Sequence, residues 1–321
     1  VLSAPCGGHA AQLSAMRMKA DEWTRSIVNG HLPTSNVWMS YHHQLWPRLR
    51  YGLSTLTNDL EAASQCLTGV EYTILPLLGV NRNIKRGWRH LHQTFGGVGL
   101  LDLPTEQFIC RINIFLQHYG TPSALGHKLS ASLHWLQLQI GCVGSPLRAQ
   151  YRIWSHLSPP CWVKCLWESL EAYSVDMDMQ YNSIPLQREK DMSVMDFLQG
   201  QVTSTLDMAA INRCRCYLNV IFLSDLTSLD GRHINADMIW GARSPLNSRF
   251  RFPPECPTSN DWYIWTNTWT TATGRGLLLP KLLGKWLNAP HYQWPWIYNP
   301  PSGDLFILQG PGYEIHRTDS H

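Results

Sequence analysis

The chain has 321 residues, long enough to bury a real core and to hold two or more folded regions. Charged residues make up 15% of it, against about 25% in an average soluble domain, and it carries 15 tryptophans, so aromatic surface is either packed inside or meets a partner. Nine scattered cysteines exclude a disulfide framework, and no run approaches the ~20 apolar residues of a membrane span.

The formal charge is +3, unevenly spread. Residues 72–167 hold nine bases against two acids, whereas 168–261 hold eight bases against thirteen acids. The middle third is therefore the part with an electrostatic case for a polyanion. The chain starts at Val1, which reads as a piece of a longer polypeptide. Residues 1–9 lack the basic start and apolar core of a signal peptide. The expectation is a soluble intracellular protein, nuclear or cytoplasmic, with reduced and mostly buried cysteines.

In chain order, 1–13 reads as a loose segment. A helix is predicted over 14–29, with Met16, Ala20, Trp23 and Ile27 on one side. A second begins near Asn36 and carries Val37, Tyr41, Leu45 and Leu49, with Pro47 forcing a kink or a restart. Asn58 and Glu61 look like a capping box that opens a third helix, closed by Gly79. A basic loop with a glycine cluster follows. The next helix starts near Thr105 and places Phe108, Ile112, Leu116 and Tyr119 on one face. Leucine-rich helical patterns return over 123–140 and after Pro159-Pro160. A polar connector over 174–204 contains one short helix at 193–198. A strong stripe then runs from Leu206 through Ala210, Cys214, Tyr217, Leu218 and Ile221 to Asp225. Asp230-Gly231 is a turn signal, and a short pattern ends at Trp240. Alternation around Trp294, Trp296 and Tyr298, a Pro-Pro-Ser-Gly-Asp break and Leu305 to Leu308 predict a β-hairpin.

The candidate site is the loop. No acid lies between Glu71 and Asp102, while Arg82, Lys85, Arg86 and Arg89 fall within eight positions. These cations either meet phosphates or form a solvated face. Trp88 either stacks on a base or plugs the helical core. Gly96, Gly97 and Gly99 either permit close backbone approach or make a tight turn with positive φ. Other chemistries lack their signatures: no Gly-x-Ser-x-Gly elbow, no phosphate loop and no dinucleotide fingerprint is present. His42-His43 and His90-x-His92 read as ordinary histidines rather than metal ligands, and Asp176, Asp178, Asp225 and Asp230 as solvated acids.

Several stretches resemble the C-terminal part of non-LTR (LINE-like) retroelement polyproteins of the kind found in algal, diatom and oomycete genomes. They are Leu49-Arg50-Tyr51-Gly52-Leu53, Leu78 to Arg82, and Gly96-Gly97-Val98-Gly99-Leu100. Ile211-Asn212-Arg213-Cys214-Arg215-Cys216-Tyr217-Leu218, Leu223-Ser224-Asp225-Leu226 and Ile184 to Glu189 add to the set, in order across most of 36–300. The resemblance implies a helical thumb that grips an RNA–DNA or DNA template–primer behind a polymerase active site. By it, Arg82, Lys85, Arg86 and Arg89 would contact phosphates, Trp88 would stack, and Gly96, Gly97 and Gly99 would let a backbone come close. The upstream palm and fingers of the same polyprotein would be partners. The family's Ala-Asp-Asp carboxylate pair, which holds Mg2+ for the RNA-directed DNA polymerase reaction, is missing, as is its Pro before the glycine cluster. The chain alone should not catalyse and should need no cofactor.

The fold expected is mainly α: a helical thumb-like bundle, a second helical region and a small C-terminal β-hairpin. The regions are 1–13, 14–122, 123–243, a Pro/Ser-rich linker at 244–261 and a Trp-rich mixed α/β tail at 262–321. Two functions compete, a nucleic-acid-binding accessory segment of a reverse transcriptase, and a non-enzymatic helical module for protein interaction or a decayed relic.

Overall fold

Apolar residues at three- and four-residue spacing fold the chain mainly into helices. The computed structural model describes residues 6–54, 56, 64–179, 186–241 and 256–287, with backbone alone at 6–10, 51, 296–299, 304–309 and 312–317. The chain divides into two units, Val1–Tyr119 with Pro160–Ser169, and Gly120–Pro159 with Leu170–Ser320. No helix among the described residues is long and apolar enough to cross a membrane.

In the first unit the Cys6–Gly30 helix buries Met16, Ala20, Trp23 and Ile27 as the spacing predicts. Trp23 donates its indole N–H to the Ser40 hydroxyl at 3.0 Å, so a buried ring keeps its polar atom satisfied. Val37, Tyr41, Leu45 and Leu49 are likewise buried, and Pro47 explains how their helix is built. Thr34–Ser40 runs into a π turn at Tyr41–Leu45, and an α-helix resumes over Trp46–Leu53 with Pro47 in its first turn. Proline cannot donate and its ring crowds the carbonyl four residues back, which the wider turn relieves.

The Thr68–Leu77 helix follows; the capping box expected at 58–61 lies outside the described residues. The Leu103–His118 helix departs from its predicted face. Gln107, Phe108, Arg111 and Phe115 are buried, whereas Leu116 is exposed. The reason is polar. Arg111 donates to Leu56 O at 2.6 Å and to Ser169 Oγ at 3.3 Å, and Gln107 Nε2 donates to Leu56 O at 3.2 Å. These side chains satisfy carbonyls past the end of Trp46–Leu53, a task no apolar residue performs. Trp162, at the start of the Trp162–Ala172 helix, donates to Ser54 O at 2.7 Å beside them.

In the second unit the Ala124–Ile140 helix is buried on several sides, Leu129, Leu133, Leu136 and Ile140 among them. The Thr205–Leu218 helix ends short of Ile221 and Asp225, to which the stripe was expected to run. Asn219 takes the left-handed conformation there and Leu206 stands exposed. Thr258 and Asp261 form a capping box at the start of Ser259–Thr273, inside the linker expected at 244–261, of which 244–255 lie outside the described residues. Asp261 also takes two bonds from Arg213, at 2.6 and 3.2 Å. Those bonds, with the Thr258 amide, outweigh its burial and hold its carboxyl at about 2. Phe197 stacks on Trp269, and Trp265 meets Trp269 edge-on, so tryptophan fills this core. The tail predicted as a hairpin has no described side chains. Among the described residues no cysteine forms a disulfide, and Cys66, Cys142, Cys165 and Cys214 are buried.

His134, on Ala124–Ile140, carries an acid-sensitivity prediction. Burial pushes its imidazole down to about 4, below the ordinary value of 6.5. The unfolded chain therefore takes up the proton first, and stability falls as pH drops from about 6.5 towards about 4. Between pH 7 and pH 5 this residue costs about 2 kcal/mol. Urea unfolding at both pH values should show that loss in wild type and not in His134→Leu; equal losses in both would contradict it.

Candidate nucleic-acid interface

The basic loop is closed by its own backbone. Val80 N–H turns back to Leu75 O at 2.8 Å, and Asn81 accepts from the Asn83 amide at 2.8 Å. A single helical turn, Arg86–His90, then leaves carbonyls at its C-terminus that need donors. The glycine cluster supplies them. Val98 N–H donates to Trp88 O at 2.9 Å, Gly99 to Leu91 O at 3.0 Å, and Leu100 to Arg89 O at 2.8 Å. Gly96 and Gly99 adopt positive φ to make this return. A Cβ on Gly97 would lie 2.0 Å from Leu91 O, so the close approach that glycine permits here is of the chain to itself. The amides of Gly96, Gly97 and Gly99 are thus spent inside the loop, on Gln93, His92 and Leu91. Leu101 N–H donates to the buried Tyr41 hydroxyl at 3.2 Å, fixing where the loop leaves the core.

Charge is sorted by the same geometry. Arg89, with its side chain 14% exposed, donates to Glu71 at 3.2 Å, to Ile84 O at 2.9 Å and to Arg82 O at 3.3 Å, and lies over the Tyr72 ring. It holds the loop shut rather than facing outward. Arg86 bonds Asp102 at 2.9 Å while its side chain stays 60% exposed. Asp102 also caps the Leu103–His118 helix through the Thr105 amide and hydroxyl. Burial would raise the Asp102 carboxyl, yet the Thr105 and Arg86 bonds and the charges of His90 and Arg86 carry it below its ordinary value. His90 sits between the two acids, its Nε2 3.6 Å from Glu71 and 3.9 Å from Asp102.

Both acids that border the loop are therefore engaged from inside. Arg82 and Lys85 are exposed and make no ion pair among the described residues. Trp88 is 50% exposed, so it does not plug the core. Phe95, which the sequence reading passed over, is 73% exposed at the tip of the Gln93–Phe95 turn. It directly precedes Gly96, whose positive φ closes the turn. The loop thus presents cations and aromatic rings on a hydrogen-bonded frame, and this combination suits phosphates and base faces.

The remaining candidates are committed elsewhere. His42 packs on Trp38 and Tyr41, and the His92 ring bonds Thr94 within its own turn. Asp176 is exposed beside Arg148, and Asp225 caps the Ile221 and Phe222 amides at 2.9 and 2.8 Å. Asp230 organises a turn with Ser228 and His233. Among the described residues no three potential metal ligands converge. Asn212, Arg213 and Arg215 are structural: Arg213 pairs with Asp261, and fully buried Arg215 donates to Asn212, Leu138 O and Val220 O. Comparison with known protein families, characterised proteins and solved structures finds no significant match.

Proposed function

We propose that this chain grips the phosphate backbone of a nucleic acid through its 82–95 loop, as the thumb and post-polymerase portion of a non-LTR retroelement reverse transcriptase. One observation carries the reading. Glu71 and Asp102 are both engaged by Arg89, His90 and Arg86, while Arg82 and Lys85 point no charge at any acid among the described residues and remain exposed. Phosphate contacts of this kind give affinity without sequence readout and weaken steeply with salt.

On this reading Arg82, Lys85 and Arg86 hold phosphates, Arg89 keeps their platform closed, and the glycines let the platform form. The upstream palm and fingers of the same polyprotein carry the catalytic Mg2+. On this reading the chain itself performs no step of polymerisation, and a small C-terminal β-hairpin completes the region.

A helical protein-interaction module is the second reading, favoured by apolar side chains left exposed on the second unit, Leu206, Leu229 and Tyr263 foremost. Titrating a labelled RNA–DNA hybrid at low and at high salt separates the two. Binding at low salt that falls by roughly 40-fold for a fourfold rise in salt, as three phosphate contacts imply, supports the grip. No binding at low salt by folded protein overturns it.

A further inference from the structure

We infer that the preferred ligand of this loop is a single-stranded polynucleotide, RNA or DNA, whose bases stack on Trp88 and Phe95 while Arg82 and Lys85 hold its phosphates. The inference rests on the nucleic-acid reading above and narrows it. Two observations carry it together. Large rings are costly to leave in water, yet Trp88 is half exposed and Phe95 nearly three-quarters exposed within eight residues of one loop. Exposed cations without ion partners among the described residues stand on the same loop.

The frame beneath the rings is closed before any ligand arrives. Val98 bonds the carbonyl of Trp88, Gly96 bonds the carbonyl of Gln93, and Phe95 N–H bonds His92 O at 2.9 Å. The rings are therefore carried on ordered backbone, so little ordering entropy opposes binding. A duplex hides its base faces inside the stack and offers phosphates alone, leaving both rings wet. A single strand offers phosphates and open base faces at once, and every base has a π face, so such a site tolerates any sequence. His92 and Gln93, between the two rings in sequence, are exposed and bonded within the turn itself, to Thr94 and to Val98 O.

The test uses the full chain with labelled oligo-dT and oligo-U of about 12 nucleotides, and an RNA–DNA hybrid of the same length, by fluorescence anisotropy at one salt concentration. Wild type, Trp88→Ala, Phe95→Ala and Trp88→Phe are compared. Single strands should bind more tightly than the hybrid. Each alanine should weaken single-strand binding by roughly five- to a hundredfold, with the hybrid nearly unmoved and Trp88→Phe close to wild type. Hybrid binding that persists in every variant also shows that each is folded. If the hybrid binds wild type as well as the single strands do, or the alanine variants bind single strands as tightly as wild type does, the stacking inference is overturned while the charge-based grip stands. If neither ligand binds wild type, the nucleic-acid reading itself fails.

Discussion

Replacing Arg215 with Ala should lower the unfolding free energy of the second unit by roughly 3–5 kcal/mol. The guanidinium is fully buried and reaches Asn212 Oδ1 at 2.6 Å, Leu138 O at 3.0 Å and Val220 O at 3.3 Å. Leu138 is in the last turn of Ala124–Ile140, where carbonyls have no partner further along the helix. Val220 follows the left-handed end of Thr205–Leu218. One side chain thus joins two helix ends, and its removal leaves a cavity and several buried acceptors without donors. Arg215→Lys should recover only part of the loss, because an ammonium cannot reproduce a planar fork reaching three directions. Chemical denaturation followed by tryptophan fluorescence measures this. A loss below about 1 kcal/mol for the alanine variant would contradict the network's role.

Gly97→Ala should damage the loop about as severely as Gly87→Ala should spare it. The new methyl at 97 would stand 2.0 Å from Leu91 O and 2.5 Å from Leu91 C, both backbone atoms that cannot swing aside. The 97–100 return must move, and with it the bonds to His92, Trp88 and Leu91. Three backbone bonds at about 1 kcal/mol each suggest a loss near 3 kcal/mol in local stability. Gly87 lies inside Arg86–His90 with nothing within 4 Å of its missing Cβ. Alanine there should be neutral or stabilising by up to about 1 kcal/mol. Native-state hydrogen exchange of the Val98 and Leu100 amides reads both, with faster exchange in Gly97→Ala and unchanged or slower exchange in Gly87→Ala. Similar rates in the two variants would contradict this picture of the loop.

Much of the helical framework was legible because apolar side chains were doing the packing. Met16, Ala20, Trp23 and Ile27, then Val37, Tyr41, Leu45 and Leu49, recur at helical spacing and are buried. The reading failed where polar side chains took core positions. Gln107 and Arg111 displaced the predicted Ile112 and Leu116 face, since hydrophobic periodicity has no way to register a carbonyl in need of a donor. Leu206 fits its stripe by spacing and is nevertheless exposed, because Met208 and Ile211 pack inward instead. In the candidate site the cluster of cations was visible as a run without acids. Its division into the inward Arg89 and the exposed Arg82 and Lys85 was not, because Glu71 and Asp102 lie 11 to 20 positions away from those residues and meet the loop only after it folds. Phe95 was missed for a related reason, since exposure depends on a turn whose closure is set by contacts with Leu91 and Trp88.

The most direct test of the grip is the slope of log Kd against log salt for the RNA–DNA hybrid, measured on wild type and on the Arg82→Ala/Lys85→Ala double variant. Arg89 is left intact so that the loop stays closed. If these two side chains each neutralise one phosphate, the slope of the double variant is shallower by about 1.8, and its affinity at low salt is lower. Equal slopes and equal affinities for the two proteins would contradict the account, because the exposed cations would then contribute nothing to binding.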